Sequence, residues 1–261
     1  ILKFKEWAMI RHKLKQKLKN GINNLLFSLG YSLVRISSQQ AHGTMDGAFR
    51  NIVKRKHYFN TVIDVGASNG SWSLSFMRFF PLCQYLLIEA QPVHEKSLNK
   101  FVKKHKNAHL SLAAAANSVG HIYFDTSDPF GGQASHIPYR SNNIQVPAIT
   151  IDNEICTRKL PGPYLIKLDT HGFEVPILTG AFNTLTETEV IIMECYNFRI
   201  TKNCLLFYEM CDYLKVFKFR CIDLVDASHR PYDNSFWQMD LVFVKENRPE
   251  FLYSMSLLSQ G

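Results

Sequence analysis

From residue 61 onward the chain alternates short apolar runs with helical stretches, and that alternation leaves few folds open. Residues 61–65, 84–88, 109–116, 121–125, 164–168 and 190–194 read as strands. Residues 71–80, 93–105, 175–181 and 205–214 read as helices, and two closing strands, 220–225 and 239–244, are joined by a turn around 231–234. Upstream, 31–36 reads as a short strand and 45–59 as a helix, while 126–143 is rich in turn formers and reads as a loop. Strands separated by helices imply βαβ units and a parallel sheet covered on both faces. Ligands in such sheets bind at the carboxyl ends of the strands, near a switch point, and the polar residues of this sequence gather there.

The first polar cluster is Asp64-Val65-Gly66-Ala67-Ser68-Asn69-Gly70, between an apolar strand and a helix. Its glycines allow a tight turn and close approach of backbone to a ligand. The spacing is neither the dinucleotide fingerprint nor a P-loop, so the loop suits a nucleoside with a small charged tail. Glu89, in Glu89-Ala90-Gln91-Pro92, ends the next strand 25 residues after Asp64 and is placed to accept hydrogen bonds from a ribose diol. The third cluster is Lys167-Leu168-Asp169-Thr170-His171-Gly172-Phe173-Glu174, delivered to the sheet edge by an apolar strand. Lys167 interrupts that strand and needs a partner there. Asp169 and Glu174 are the candidates, and a structural ion pair with Glu174 is the expectation. Glu174 itself suits the first turn of the following helix.

Together with Ala113-Ala114 before Gly120, and with the Lys-x-Asp-x-x-Gly-x-Glu segment as the most specific part, these motifs make residues 55–245 resemble the FkbM-type methyltransferases. These are S-adenosylmethionine-dependent O-methyltransferases often found with genes for surface polysaccharides and other natural products. The resemblance implies an α/β, Rossmann-like class I methyltransferase fold: a seven-stranded, mostly parallel sheet of order 3-2-1-4-5-7-6, helices on both faces, the last strand antiparallel. It implies that Asp64, Gly66, Ala67, Ser68, Asn69 and Gly70 hold the methionine part, Glu89, Ala90 and Gln91 the ribose side, and Ala114 and Ala115 the adenine. Many members carry Glu or Gln where this chain has His171, so the family settles no role for that residue.

Methyl transfer to a hydroxyl needs a base or a Lewis acid, because an alcohol is a poor nucleophile until its proton is removed. Asp169 and His171 sit where the methyl would lie, and an imidazole with a pKa of about 6.5 suits a base. Glu194, ending the following strand, completes the candidate catalytic set. Asp169 and Glu194 could instead hold Mg²⁺, an alternative that is not favoured. His136 reads as a solvated loop residue, and Trp237 and Tyr232 as core.

Composition limits the partners. Residues 1–60 carry 12 Lys+Arg against Glu6 and Asp46, whereas the remainder carries 18 against 20 Asp+Glu, so the net charge of +8 belongs to the N-terminal fifth. A basic nucleic-acid groove across the whole chain is not expected. No Asp/Asn-Pro-Pro-Tyr motif of nucleic-acid methyltransferases follows the fourth strand, and no tyrosine has the lysine four residues on that a short-chain dehydrogenase uses. In residues 2–29, Trp7, Ile10, Leu14, Leu18, Ile22, Leu25 and Leu29 share one helical stripe amid lysines. That pattern fits a packing helix for this chain or a partner subunit, or a dock on an anionic membrane. Lysines through 3–19 do not read as a signal peptide, and no run of 18 apolar residues is present. None of Cys83, Cys156, Cys195, Cys204, Cys211 and Cys221 forms a C-x-x-C pair, as expected for reduced thiols in a cytoplasmic protein, peripheral on the inner membrane face if the basic helix docks there. The reading divides the chain into a basic extension, 1–58, and a methyltransferase domain, 59–261. The acceptor is expected to be a hydroxyl of a sugar in a glycan, glycolipid or nucleotide-sugar. A natural-product, lipid or RNA hydroxyl, and a non-catalytic membrane-docking module, are the alternatives.

Overall fold

A computed structural model describes residues 43–139 and 143–252. The helical stripe of 2–29 and the short strand of 31–36 lie outside the described residues. Helix α1 (Met45–Lys54) opens on Thr44, whose hydroxyl accepts a hydrogen bond from the Gly47 amide, and it buries Ala48, Phe49 and Ile52. It stops five residues short of the expected end, where Lys56 turns to a positive φ.

Strand β1 (Thr61–Val65), helix α2 (Ser71–Met77), strand β2 (Gln84–Glu89), helix α3 (Glu95–Lys104) and strand β3 (Ala108–Leu112) form two successive βαβ units. The chain then leaves the main sheet. Strands β4 (Ala114–Ala115), β5 (Gly120–Asp125), β6 (Gln133–Ser135) and β7 (Asn143–Ile149) make a second sheet of order β4-β7-β5-β6. The single strand expected over 109–116 is therefore two, because the small residues Ala113–Ala116 turn away after the Ala113 amide bonds Glu89 O. Strands β6 and β7 also cut into the segment read as loop. Pro147 is tolerated in β7 because β4 spans only two residues and pairs beyond it, at Ala148 and Ile149.

Helix α4 (Ile151–Arg158) returns the chain to strand β8 (Tyr164–Leu168). Helices α5 (Glu174–Thr179) and α6 (Phe182–Thr186), strand β9 (Thr188–Tyr196), helix α7 (Phe207–Lys215) and strands β10 (Phe219–His229) and β11 (Phe236–Lys245) complete the order. The main sheet runs β10-β11-β9-β8-β1-β2-β3, with β11 antiparallel to both neighbours. This is the seven-stranded order 3-2-1-4-5-7-6. Both faces are covered: Ile63, Leu86, Ile166 and Ile191 face one apolar cluster, and Val62, Leu87, Leu165 and Ile192 the other. The connection reverses between β1 and β8, so a switch point opens at their carboxyl ends.

Candidate active site

The loop after β1 is shaped by its neighbours in the sheet. Gly66, at φ +75°, has no room for a Cβ, which would fall on the carbonyl oxygen of Asp169. That approach is fixed by the Asp169 amide bonding Val65 O at 3.0 Å. Gly70, at φ +83°, packs on the Phe101 ring. The close approach that the glycines permit is thus to this chain's own atoms. Between them Ser68 adopts φ 49°, and its amide donates to Glu89 Oε2 at 2.6 Å, while the Gln91 amide donates to Oε1 at 2.6 Å. Burial pushes the Glu89 carboxyl up, and these two amides oppose it. Its fixed orientation at the tip of β2 follows.

Beneath the loop, Asp64 is fully buried, accepts from Ser73 Oγ at 2.6 Å and lies 3.6 Å from Lys167 Nζ. Lys167 stands opposite Asp64 in the β1–β8 register and on the same face as Asp169 two residues on. Its ammonium bonds Asp169 Oδ2 at 2.9 Å. The expected pair with Glu174 does not form, because Glu174 lies beyond the turn. It folds back there to accept from the Gly172 amide at 2.8 Å and Thr170 Oγ1 at 3.2 Å, holding the turn from the first residue of α5. Burial alone would lower the Lys167 pKa, but the Asp169 and Asp64 charges outweigh it and keep the ammonium charged.

His171 sits in that turn at φ 52°, an uncommon conformation for a residue with a side chain, followed by Gly172 at φ +99°. Its Nδ1 lies 3.2 Å from Glu194 Oε2 and 2.7 Å from the Tyr196 hydroxyl; its Nε2 lies 2.9 Å from Phe130 O and 3.8 Å from Asp169 Oδ1. Burial works against the charged ring, yet the bond to Glu194 and the charges of Asp169 and Glu194 outweigh it, raising its pKa to about 9. The imidazole expected near 6.5 is therefore an imidazolium at neutral pH. Glu194 accepts from Tyr196 at Oε2 and from Gln238 Nε2 at Oε1, the latter at 2.5 Å. Asp169 Oδ1 faces His171 Nε2 and the Glu194 carboxylate, and its side chain is 39% exposed.

These groups share one cavity of about 460 Å³ at the switch point. Of the expected cofactor-binding residues, Gly66, Ala67, Ser68, Asn69, Glu89, Ala90, Gln91, Ala114 and Ala115 line it, as do Asp169, His171 and Glu194. Asp64 and Gly70 do not: one is sealed under the floor by Ser73 and Lys167, the other turned against Phe101. Residues 64–221, reaching from this loop into β10, match the Methyltransferase FkbM domain. The chain belongs to the FkbM methyltransferase family. No curated protein matches it. Among solved structures, it is similar to a precorrin-6y C5,15-methyltransferase from Geobacter metallireducens GS-15, at 12% identity over 76% of this chain and 86% of that one, TM-score 0.41. It is similar also to two fibrillarins. The Methanococcus jannaschii pre-rRNA processing protein shows 14% identity over 72% and 66%, TM-score 0.46. The Aeropyrum pernix protein, with natively bound S-adenosyl-L-methionine, shows 12% over 70% and 66%, TM-score 0.40.

In this FkbM methyltransferase, residues beyond the sequence motifs complete the wall. Tyr196 had a legible signal, standing two residues after Glu194 on the same face of β9. Gln238 had none, since it reaches Glu194 only through the antiparallel pairing of β11 with β9. Trp72 follows the glycine loop and also lines the cavity, as do Pro129 and Phe130. His136 is exposed and packs on Phe173, while Trp237 packs on Tyr196 and Phe198. Tyr232, expected in the core, is instead exposed over Arg230 at the tip of the closing hairpin. Asp169, His171 and Glu194 bring one possible ligand atom each within 4.8 Å of one another, an oxygen–nitrogen–oxygen set of the kind divalent cations take. With its pKa raised to about 9, His171 sets a positive charge between the two carboxylates. Among the described residues, no helix is long and apolar enough to cross a membrane.

Proposed function

We propose that this methyltransferase uses S-adenosylmethionine to methylate a hydroxyl, on a sugar of a glycan, glycolipid or nucleotide-sugar. The observation that carries the reading is the placing of Glu89 and Asp169 on opposite sides of β1 at the rim of one cavity. The residues fit the cofactor. Glu89 is a fixed acceptor for a ribose diol, and Ile88, Ala113–Ala115 and Phe124 offer small apolar surface for a flat base. The two cations lining the cavity, Lys167 and His171, are both engaged by carboxylates, which leaves no ready partner for a pyrophosphate. The sugar acceptor is supported by the family resemblance of the sequence.

When bound, S-adenosylmethionine supplies an electrophilic methyl group whose departing electron pair stays on sulfur. The protein has to bring the acceptor oxygen into line and take its proton. Asp169 Oδ1, at the cavity side of its ion pair with His171, is the atom that takes that proton. Lys167 keeps the carboxyl pKa low, so Asp169 is a weak base toward a resting alcohol; the hydroxyl proton becomes acidic enough for it only as the new O–C bond forms. His171, as a cation, bridges Asp169 and Glu194 and fixes the turn that carries Asp169.

The test is calorimetric titration with S-adenosylhomocysteine against NAD, followed by an acceptor screen with and without Mg²⁺. Saturable binding of the first ligand alone is expected, and a folded sample that binds neither ends the reading. Asp169→Asn should lower turnover by roughly 10²- to 10⁴-fold while retaining S-adenosylhomocysteine affinity. A variant as active as the native enzyme would remove Asp169 from the proton step.

A further inference from the structure

Helix α3 carries its charge on one side. Lys96, Lys100, Lys103 and Lys104 recur every three or four residues, so they form one stripe opposite Leu98 and Phe101, which the helix buries. All four are exposed, and the exposed Lys106 extends the line past the end of the helix. Residues 93–106 thus hold five lysines against Glu95, although residues 61–261 together are slightly acidic. Among the described residues, none of the five ammonium groups has an ion-pair or hydrogen-bond partner. Outside the described residues the sequence has Glu6 as its single acidic side chain, so this chain has no means of neutralising the stripe.

Apolar side chains stand at both ends of this line. Val93, three residues before Lys96, is 63% exposed and directly precedes His94, which lines the cavity. At the other end Leu82, in the loop before β2, is 92% exposed. Asn107 ties that loop to the chain just past α3, its Nδ2 donating to Pro81 O at 3.2 Å and to Cys83 O at 2.7 Å. The phosphates of a nucleic acid would engage the cations alone. A bilayer also takes up the valine and the leucine, while the lysine stems lie along its interface. We propose that the α3 face is a docking surface for an anionic lipid bilayer, with the five lysines at the headgroups and Val93 and Leu82 inserted at either end. Docking on this face sets the cavity rim, at Val93 and His94, beside the bilayer. The surface is separate from the helical stripe of residues 2–29, and the inference holds whatever the acceptor.

Co-sedimentation of the full chain with phosphatidylcholine vesicles, with and without about 30% phosphatidylserine, reads the docking. The native protein should bind the anionic vesicles and not the neutral ones, and about 0.5 M salt should release it. A lysine near such a surface is worth about fivefold in affinity, so changing Lys96, Lys100, Lys103 and Lys104 together to Gln should weaken binding at least about thirtyfold. Changing Lys159, Lys202, Lys215 and Lys218 to Gln removes the same charge from exposed sites elsewhere and should leave binding within about threefold. Leu82→Ser keeps every lysine and should weaken binding about tenfold. The urea midpoint of each variant, matched to the native one, separates a lost surface from a lost fold. Unaltered binding by the stripe variant, equal losses in the two quadruple variants, or no preference for anionic vesicles overturns the inference. So does Leu82→Ser binding as tightly as the native protein, or a single-stranded oligonucleotide binding the stripe more tightly than the vesicles do.

Discussion

At the scale of single residues, the two glycines of the loop separate what the sequence shows from what it hides. Their need for positive φ is legible, because glycine reaches that region without penalty. What stands against each missing Cβ is not, since Asp169 is more than a hundred residues away from Gly66 in the chain. Gly66 meets a backbone carbonyl held by the β1–β8 ladder, and Gly70 meets the flexible edge of the Phe101 ring. Gly66→Ala has nowhere to relax, so both conformational strain and overpacking act, and roughly 3 kcal/mol of stability should be lost. Gly70→Ala should cost about half as much, because a ring can rotate. Urea unfolding of the two variants checks the order; equal losses would mean that Asp169 yields as readily as Phe101. The same distance hid the second partner of Lys167, Asp64, at 3.6 Å. Within the motif, Glu174 was as available as Asp169, and only strand register brings Asp64 opposite the lysine.

At the scale of elements, the turn-rich segment between β5 and β6 has become a strap over the cavity. Three successive carbonyls are held by site residues: Asp128 O by Gln91 Nε2 at 3.1 Å, Pro129 O by His94 Nε2 at 2.8 Å, and Phe130 O by His171 Nε2 at 2.9 Å. His94 also lies 3.4 Å from Ser68 Oγ, so the strap is tied to the glycine loop as well. Removing one such bond at about 1 kcal/mol should raise local opening about fivefold. His94→Ala should therefore speed amide exchange in residues 127–132, read by mass spectrometry, while exchange in the β1 core is unchanged. Unaltered exchange in the strap would mean that Gln91 and His171 hold it alone. The elements built on local pattern, β1, α2, β2, α3 and β8, were legible within a few residues. Strands β6 and β7 and the break after β3 were not, because glycine, proline and alanine carry no periodicity, and pairing with β5 supplies what local propensity lacks.

At the scale of the whole molecule, the seven-strand order came from resemblance, and the ionic cluster at its switch point could only come from folding. Two histidines record that assembly in opposite senses. His57 is 5% exposed with neither ring nitrogen bonded among the described residues. Burial, then the charge of Arg248 and more weakly that of Arg55, against the opposing Glu250, lowers its pKa to about 4. Between pH 6.5 and 4 the unfolded chain binds this proton more tightly, so stability falls as pH drops through that window. His171, raised to about 9 by Glu194 and Asp169 against burial, behaves in reverse: its contribution is whole below pH 6.5 and is lost as pH rises through about 9. Asp240, lifted to about 7 by burial and then by Glu194 and Asp169, also takes up a proton on folding, and its share is lost as pH rises through 7. Because the Asp240 and His57 windows overlap with opposite signs, the native profile alone does not separate them, and differences between variants do. The stability of His57→Leu relative to the native protein should rise as pH falls from 6.5 to 4.5. That of His171→Gln should rise as pH increases from 6.5 to 9.5, each by at most about 3 kcal/mol. Urea unfolding across both ranges checks this. A pH-independent difference for His171→Gln would mean that the ring is neutral in the folded protein, and would return it to the role of base that the sequence alone suggested.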